Sequence, residues 1–320
     1  MRRIFLILAT GLLAGLVGCD APIKQPSSDT PAVVEAPAPQ PPVYPELRAS
    51  IDANLTEELR AAFRAEVPEL VGRLADSGKA GMVIADISDP TAPRVASFDG
   101  DQTNYAASLP KVAILYAAFV EIDRGVLVLD DTLRDQMTRM IRNSSNEAAT
   151  TVFRRVGAER IAEILQAEPW RLYDPAHGGG LWVGRDYGGE VWKRDPVAGQ
   201  SHGASAMQVA RFYYLLSTRQ LVSGSSTDEM LEILSKPAIR HKFVIGLADE
   251  NPDARLYRKS GTWKQFHADS ALVVDPGYRY IVVALVEDED GAAILEKFVG
   301  IADRVIAGNH LKQEVSSSHE

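Results

Sequence analysis

A chain of 320 residues with 46% apolar side chains is long enough to bury a sizeable core without covalent staples. Its single cysteine, Cys19, excludes an internal disulfide framework and a cysteine-rich metal site, so any nucleophile must be a hydroxyl or an amine. The net charge of −9, more acidic still once Arg2 and Arg3 are set aside, excludes nucleic acid as the expected partner.

Residues 1–18 read as an export signal. Arg2 and Arg3 precede an apolar run from Ile4 to Val17 that is too short for a comfortable bilayer span but suits a signal core. The run ends in Leu16-Val17-Gly18-Cys19, which resembles the lipobox of bacterial lipoproteins. That resemblance implies cleavage before Cys19, lipidation of its thiol, and a periplasmic protein anchored to a membrane. In enterobacterial lipoproteins an aspartate such as Asp20 goes with retention at the inner membrane. From Ala21 to Glu46, eight of the 26 residues are proline, so residues 19–46 read as a tether able to reach about 80 Å when extended.

The globular part is expected over residues 47–310, followed by a disordered tail over 311–320. Residues 55–72 carry apolar positions at helical spacing, from Leu59 and Phe63 to Val67, Leu70 and Val71. Short apolar runs at 81–87 and 94–98, separated by Ser88-Asp89-Pro90, read as a hairpin. The middle of the chain, to about Leu234, is mostly helical, with helices predicted over 109–124, 131–142, 147–156, 158–166 and 204–218. Residues 170–203 interrupt it with eight glycines and no period, which predicts a long functional loop. Strands return at 254–261, 267–275 and 279–287, and a closing helix spans about 292–305. Strands at both ends around a helical middle predict an α+β fold: an antiparallel sheet from both chain termini, flanked by helices, plus an all-helical lobe with an active site between.

Three short motifs carry chemistry. Ser108-Leu109-Pro110-Lys111 opens a helix apolar on every face, so Lys111 is expected to be desolvated, to have a lowered pKa and to serve Ser108 as a base. Ser144-Ser145-Asn146 sits between two helices, where such residues also serve as caps. Lys259-Ser260-Gly261-Thr262 ends a strand, and its glycine permits close backbone approach.

Together and in this order, S-x-x-K, S-x-N and K-[ST]-G resemble the class A β-lactamases and penicillin-binding proteins. Asn146-Glu147-Ala148-Ala149 is similar to that family's continuation of the second motif, and the likeness spans nearly the whole domain. The resemblance implies acyl transfer without metal or cofactor. Ser108 would attack an amide carbonyl, Lys111 would take its proton, and the Ser108 and Thr262 N–H groups would form the oxyanion hole. Ser144 would relay a proton to the leaving nitrogen. Lys259 would orient Ser144 and, with Ser260 and Thr262, hold a substrate carboxylate, while Asn146 would bind Lys111 and the substrate's acylamino carbonyl.

The sequence departs from that pattern in two places. The family's E-x-x-L-N motif, which supplies the deacylating glutamate, is missing, and Asp186 and Glu190 are the nearest acids. The interval from Ser108 to Ser144 is also shorter than in class A enzymes, which implies an opened cleft. The expected substrate is a β-lactam or a peptidoglycan stem peptide. The expected activity is that of a β-lactamase-like serine hydrolase, with a D-alanyl-D-alanine peptidase or other cell-wall hydrolase, and a non-catalytic envelope-binding lipoprotein, as alternatives. His177-Gly178-Gly179-Gly180 reads as a flexible loop, and His202, His241 and His267 as surface or loop histidines without metal spacing. The four tryptophans are expected in the core or cleft wall, with Trp263 placed to contact substrate.

Overall fold

A computed structural model describes residues 43–68, 77–189 and 192–317, with side chains up to 312. The signal-like segment, Cys19, the tether up to residue 42, Leu70, Val71 and Glu190 lie outside the described residues, whereas the end of the expected tether belongs to the folded part, Glu46 capping the first turn and pairing with Arg211. The chain begins with a 3-10 turn at Leu47–Ser50 and helix α1 (Ala53–Glu66), whose N-terminus is capped by the Asp52 carboxylate accepting from the Asn54 and Leu55 N–H groups. Strands β1 (Ala80–Asp86), β2 (Arg94–Phe98) and β3 (Thr103–Tyr105) follow. The helical middle contains α2 (Lys111–Asp123), α3 (Asp131–Arg142), α4 (Asn146–Val156) and α5 (Ala158–Gln166).

The long loop carries the short strands β4 (Tyr173–Asp174), β5 (Gly179–Gly180), β6 (Trp182–Val183) and β7 (His202–Ser205). Helices α6 (Ala206–Ser217), α7 (Gly224–Leu234) and α8 (Phe243–Glu250) come next. Strands β8 (Arg255–Trp263), β9 (Phe266–Val274) and β10 (Arg279–Glu287) and helix α9 (Gly291–Ser317) complete the chain.

The two ends of the chain build one antiparallel sheet in the order β2-β1-β10-β9-β8. Strand periodicity divides its side chains between two cores. On β10, Tyr280, Val282, Ala284 and Val286 pack with α1, α8 and α9, while Ile281, Val283 and Leu285 join the larger core with α2 and α6. β1 alternates in the same way, with Met82 and Ile84 on one side and Val83 and Ala85 on the other. Both faces are therefore covered, and the strands read as continuous apolar runs. The fold is α+β, as the sequence predicts.

Several boundaries differ from the sequence reading. The segment 170–203 is not one open loop. β6 pairs with β7 and β7 with β3, and the three glycines after His177, all at positive φ, lead into β5, which pairs with β4. His177 is tied by its Nδ1 to Asp174 at 2.9 Å. His202 and His267 are buried rather than superficial, because β7 and β9 carry them inward. α8 follows Lys242, a residue at φ +52, and has no apolar period long enough to announce it. The closing helix continues to Ser317 instead of giving way to a tail after 310. Its late turns are held by polar contacts, from Asn309 to Glu58 and from His310 to Asp86, which no hydrophobic pattern reveals.

One buried ion pair ties the segment before α8 to the edge of the sheet. Arg258 and Asp269, 2% and 0% exposed, meet at 2.6 Å, and Arg258 also donates to the Ile239 and His241 carbonyls while Asp269 accepts from Phe243 N–H. Removing one partner strands the other charge in the interior. Asp269→Ala is expected to cost about 3–5 kcal/mol of folding free energy, read from the urea midpoint.

Candidate active site

Ser108 lies in a tight turn ahead of α2. Leu109 N–H bonds Ala106 O and Lys111 N–H bonds Ser108 O, so the regular helix begins only at Lys111. Pro110 sits where a missing N–H costs nothing. The residue before the serine, Ala107, is held at φ +50, a left-handed conformation that costs an L-residue about 1–2 kcal/mol. Tyr187 donates its hydroxyl to the Ala107 carbonyl at 3.3 Å and so helps to fix the strained turn.

Lys111 is fully buried, because every face of α2 packs into the larger core. Its Nζ lies 3.2 Å from Ser108 Oγ, 2.6 Å from Ser144 O, 3.4 Å from Ser144 Oγ and 2.8 Å from Asn146 Oδ1. All four neighbours are neutral oxygens. Burial without a counter-charge pushes the Lys111 pKa down to about 7. The Tyr187 ring covers the ammonium at 4.3 Å from its centroid. Ser144 is a second residue at positive φ, +55, which turns its carbonyl toward Lys111, while Ser145 caps α4 and Asn146 is the first residue of that helix.

Strand β8 closes the site. Lys259 is 2% exposed, and its Nζ donates to Ser144 Oγ at 3.0 Å and to Ser260 O at 2.6 Å. Burial, and then the charge of Lys111, hold its pKa well below the usual lysine range. Gly261 permits the approach. A Cβ there would lie 2.1 Å from Ala106 O and 2.9 Å from Ser108 N, so a side chain would push β8 off the nucleophile turn. Thr262 lines the cavity beside Ser108. Ser260 does not: its hydroxyl pairs with His241 Nε2 at 3.1 Å. His241 is half-buried rather than superficial, and burial lowers its pKa to about 4.

The cavity in front of Ser108 encloses about 560 Å³ and is bordered by Asn146, Tyr187, His202, Thr262 and Trp263 among others. Asp186 does not border it. The Asp186 carboxylate is buried against Arg154, with contacts of 2.6 and 2.9 Å, and accepts from Gly188 N–H at 3.0 Å. Burial alone would raise its pKa, but the backbone donors and Arg154 hold it below the ordinary carboxylate value. The loop residue that faces Lys111 is Tyr187.

Lys242 escaped the sequence reading. It is 1% exposed and donates to Gly261 O at 2.7 Å, Thr262 Oγ1 at 2.8 Å and Ala268 O at 3.1 Å. Burial lowers its pKa to about 8. It holds the end of β8 and leaves the Thr262 hydroxyl proton free for an acceptor in the cavity. A lone lysine in an unpatterned segment gives no sequence signal for this.

Gly261→Ala tests the close approach. We expect the rate at which an acylating probe modifies Ser108 to fall at least about 100-fold, the scale of losing an oxyanion donor, with circular dichroism reporting whether the fold survives.

The chain matches the family described as the beta-lactamase enzyme family over residues 62–134 and 131–307. No curated protein sequence matches it. Among solved structures, it is similar to a beta-lactamase from Sphaerobacter thermophilus, with TM-score 0.63 and 16% identity over 79% of this chain and 97% of that one. It is also similar to a mutant of PBP-A in acyl-enzyme complex with penicillin G, with TM-score 0.64 and 19% identity over 83% of this chain and 100% of that one. A variant of the last common ancestor of Gram-negative bacteria class A beta-lactamases gives TM-score 0.61 and 18% identity, over 78% and 98% of the two chains. The protein belongs to the beta-lactamase enzyme family and has the class A fold.

Proposed function

We propose that this protein is a serine hydrolase that opens a β-lactam or a related peptide amide through an acyl-enzyme on Ser108. The observation that carries the reading is a buried lysine with a pKa near 7 placed 3.2 Å from the serine oxygen. Ser108 Oγ attacks the carbonyl carbon, and its proton passes to Lys111. The oxyanion is met by the Ser108 and Thr262 N–H groups. Ser144 lies between the two lysines, 3.4 Å from Lys111 and 3.0 Å from Lys259, and hands a proton to the leaving nitrogen. The Oγ–C ester bond forms as the C–N bond breaks, and the proton that Ser108 gave to Lys111 passes through Ser144 to the leaving nitrogen. Thr262, with Lys242 and Lys259 behind it, receives the substrate carboxylate.

The fate of the acyl-enzyme separates two readings. Hydrolysis needs a base for water, and Asp186 is engaged by Arg154 while Tyr187 covers Lys111. These two placements favour a long-lived acyl-enzyme, the behaviour of a penicillin-binding wall peptidase, over rapid lactam turnover. Penicillin G is expected to add its whole mass to Ser108 and to leave slowly, whereas Ser108→Ala takes up none. Mass spectrometry over time decides the matter: multiple turnovers within minutes would overturn the slow-release reading, and no adduct would leave a non-catalytic envelope protein.

The pH profile follows from Lys111. Below about pH 7 the amine is protonated and cannot accept the Ser108 proton, so the acylation rate is expected to fall about tenfold per pH unit and to level off above pH 8. Lys111→Met should remove that inflection together with most of the rate, as stopped-flow labelling would report.

We also place the domain in the cell envelope, tethered through a lipid on Cys19. Supporting this are the position of the sole cysteine and the proline-rich run behind it. Cys19→Ser is expected to move the protein from the membrane fraction to the soluble fraction.

A further inference from the structure

The cavity holds more positive charge than the reaction at Ser108 requires. Arg185, which follows β6, and Arg194, which precedes β7, both line it. Among the described residues most arginines are ion-paired with a carboxylate, and Arg185 and Arg194 are among the few that are not. The side-chain bond of Arg185 is to Asp186 O at 3.3 Å, and that of Arg194 is to Gly199 O at 3.0 Å. The neighbouring acid, Asp186, is turned to Arg154. Glu287 is the one carboxylate among the described residues lining the cavity, so cations prevail there even before Lys111 and Lys259 are counted.

The described residues around the two arginines are tied down by hydrogen bonds. Asp195, 2% exposed, accepts from Tyr173 OH, Val197 N–H and Ala198 N–H at 2.8–3.2 Å and also from Gln200 N–H. Trp182 Nε1 donates to Lys193 O at 3.1 Å, Trp192 Nε1 to Val183 O at 3.2 Å, and Gly184 N–H to Ser201 O at 2.7 Å. Gly184 allows the two arms to touch, since a Cβ there would meet Lys193 O at 1.9 Å. Beside Arg185 stands His202, 4% exposed, with a buried Nε2 that has no hydrogen-bond partner. Burial and the charge of Arg185 keep this imidazole neutral, so it adds a polar wall without a charge beside the arginines. The opposing wall is aromatic, with Tyr105 against Phe266 at 5.1 Å.

We propose that Arg185 and Arg194 form an anion-binding subsite beside Ser108, and that the preferred substrate carries a free carboxylate on the acyl side of the scissile amide. This rests on acylation at Ser108 and adds a second acidic group to the one received by Thr262 on β8. A peptide that bears a carboxylate one residue back from the one whose carbonyl is attacked, where a penicillin carries its acylamino side chain, has that chemistry. Preorganised guanidinium groups give such a group both steering and hold.

Two penicillins with one nucleus test the subsite, one with a phenylacetyl side chain and one with the same side chain carrying an added carboxylate. The dianionic probe is expected to acylate the full chain about tenfold faster at low salt, an advantage that shrinks as ionic strength rises. In the double variant Arg185→Gln, Arg194→Gln the ratio of the two rates should fall to about one. Should that variant fail to fold, a third penicillin with an amino group on the side chain serves in the unmodified protein, where it must react more slowly than the neutral one. Equal rates with all probes, or a preference that persists in the double variant, would overturn the subsite alone. No adduct with any probe overturns the acylation reading and the subsite with it.

Discussion

The site is organised around one uncompensated charge, the amine of Lys111. It is fully buried at the start of an apolar helix and surrounded by neutral oxygens. An ammonium in that position has lost its water and gained no carboxylate, so its proton is weakly held. The surrounding structure keeps it there. Ser144 adopts a left-handed backbone to turn a carbonyl inward, Asn146 starts a helix with its amide oxygen on the amine, and Tyr187 lays its ring over the top. The Ser144 backbone is a local cost accepted by a well-packed frame, a pattern expected where strain serves chemistry, and the other two are contacts that hold the amine in place.

The same constraint extends to the sheet edge. Lys259 and Lys242 are buried along β8 or against it, and Arg258 is buried beside them, with Asp269, among the described residues, as the one carboxylate in direct contact with that group. Lys259 feels Lys111 as a like charge, and Ser144 Oγ sits between the two amines. A site with this surplus of cations is costly when empty and is relieved by an anion. On the proposed reading, its electrostatics favour an acidic substrate before any specific contact is made. The chain as a whole is acidic, which makes the local reversal of sign more selective still.

What the sequence made legible was chemistry held within short spacing. Ser108 and Lys111 are one helical turn apart, Ser144 and Asn146 flank a cap, and Lys259 to Thr262 form one strand end, so local geometry follows from adjacency. The order of strands at the two ends also foretold the sheet. Contributions from distant, unpatterned segments stayed hidden. Lys242 reaches Thr262 from the turn before α8, Tyr187 reaches Lys111 from a glycine-rich loop, and Asp195 organises its loop through backbone donors. None has a periodicity or a neighbour in sequence that signals its partner. The late turns of α9 were missed for the same reason, since Asn309 and His310 hold them by polar contacts.

Asp186 shows why the identity of a residue does not settle its role. As an acid at the expected place in the loop it is a natural substitute for a deacylating glutamate, yet a base for water must have a pKa raised toward neutrality. The environment of Asp186 acts in the other direction. Burial alone would raise the value, but Gly188, Arg154 and Gly189 stabilise the carboxylate and bring it below its ordinary range. The ion pair also fixes α4 to the loop, and Thr150 of the same helix binds Tyr187 N–H. Asp186 and Tyr187, adjacent in the chain, are thus both held against α4. On the proposed reading, acylation draws on the Tyr187 ring over Lys111 and hydrolysis on a carboxylate freed from Arg154, so the two steps make opposite demands on adjacent residues of one loop.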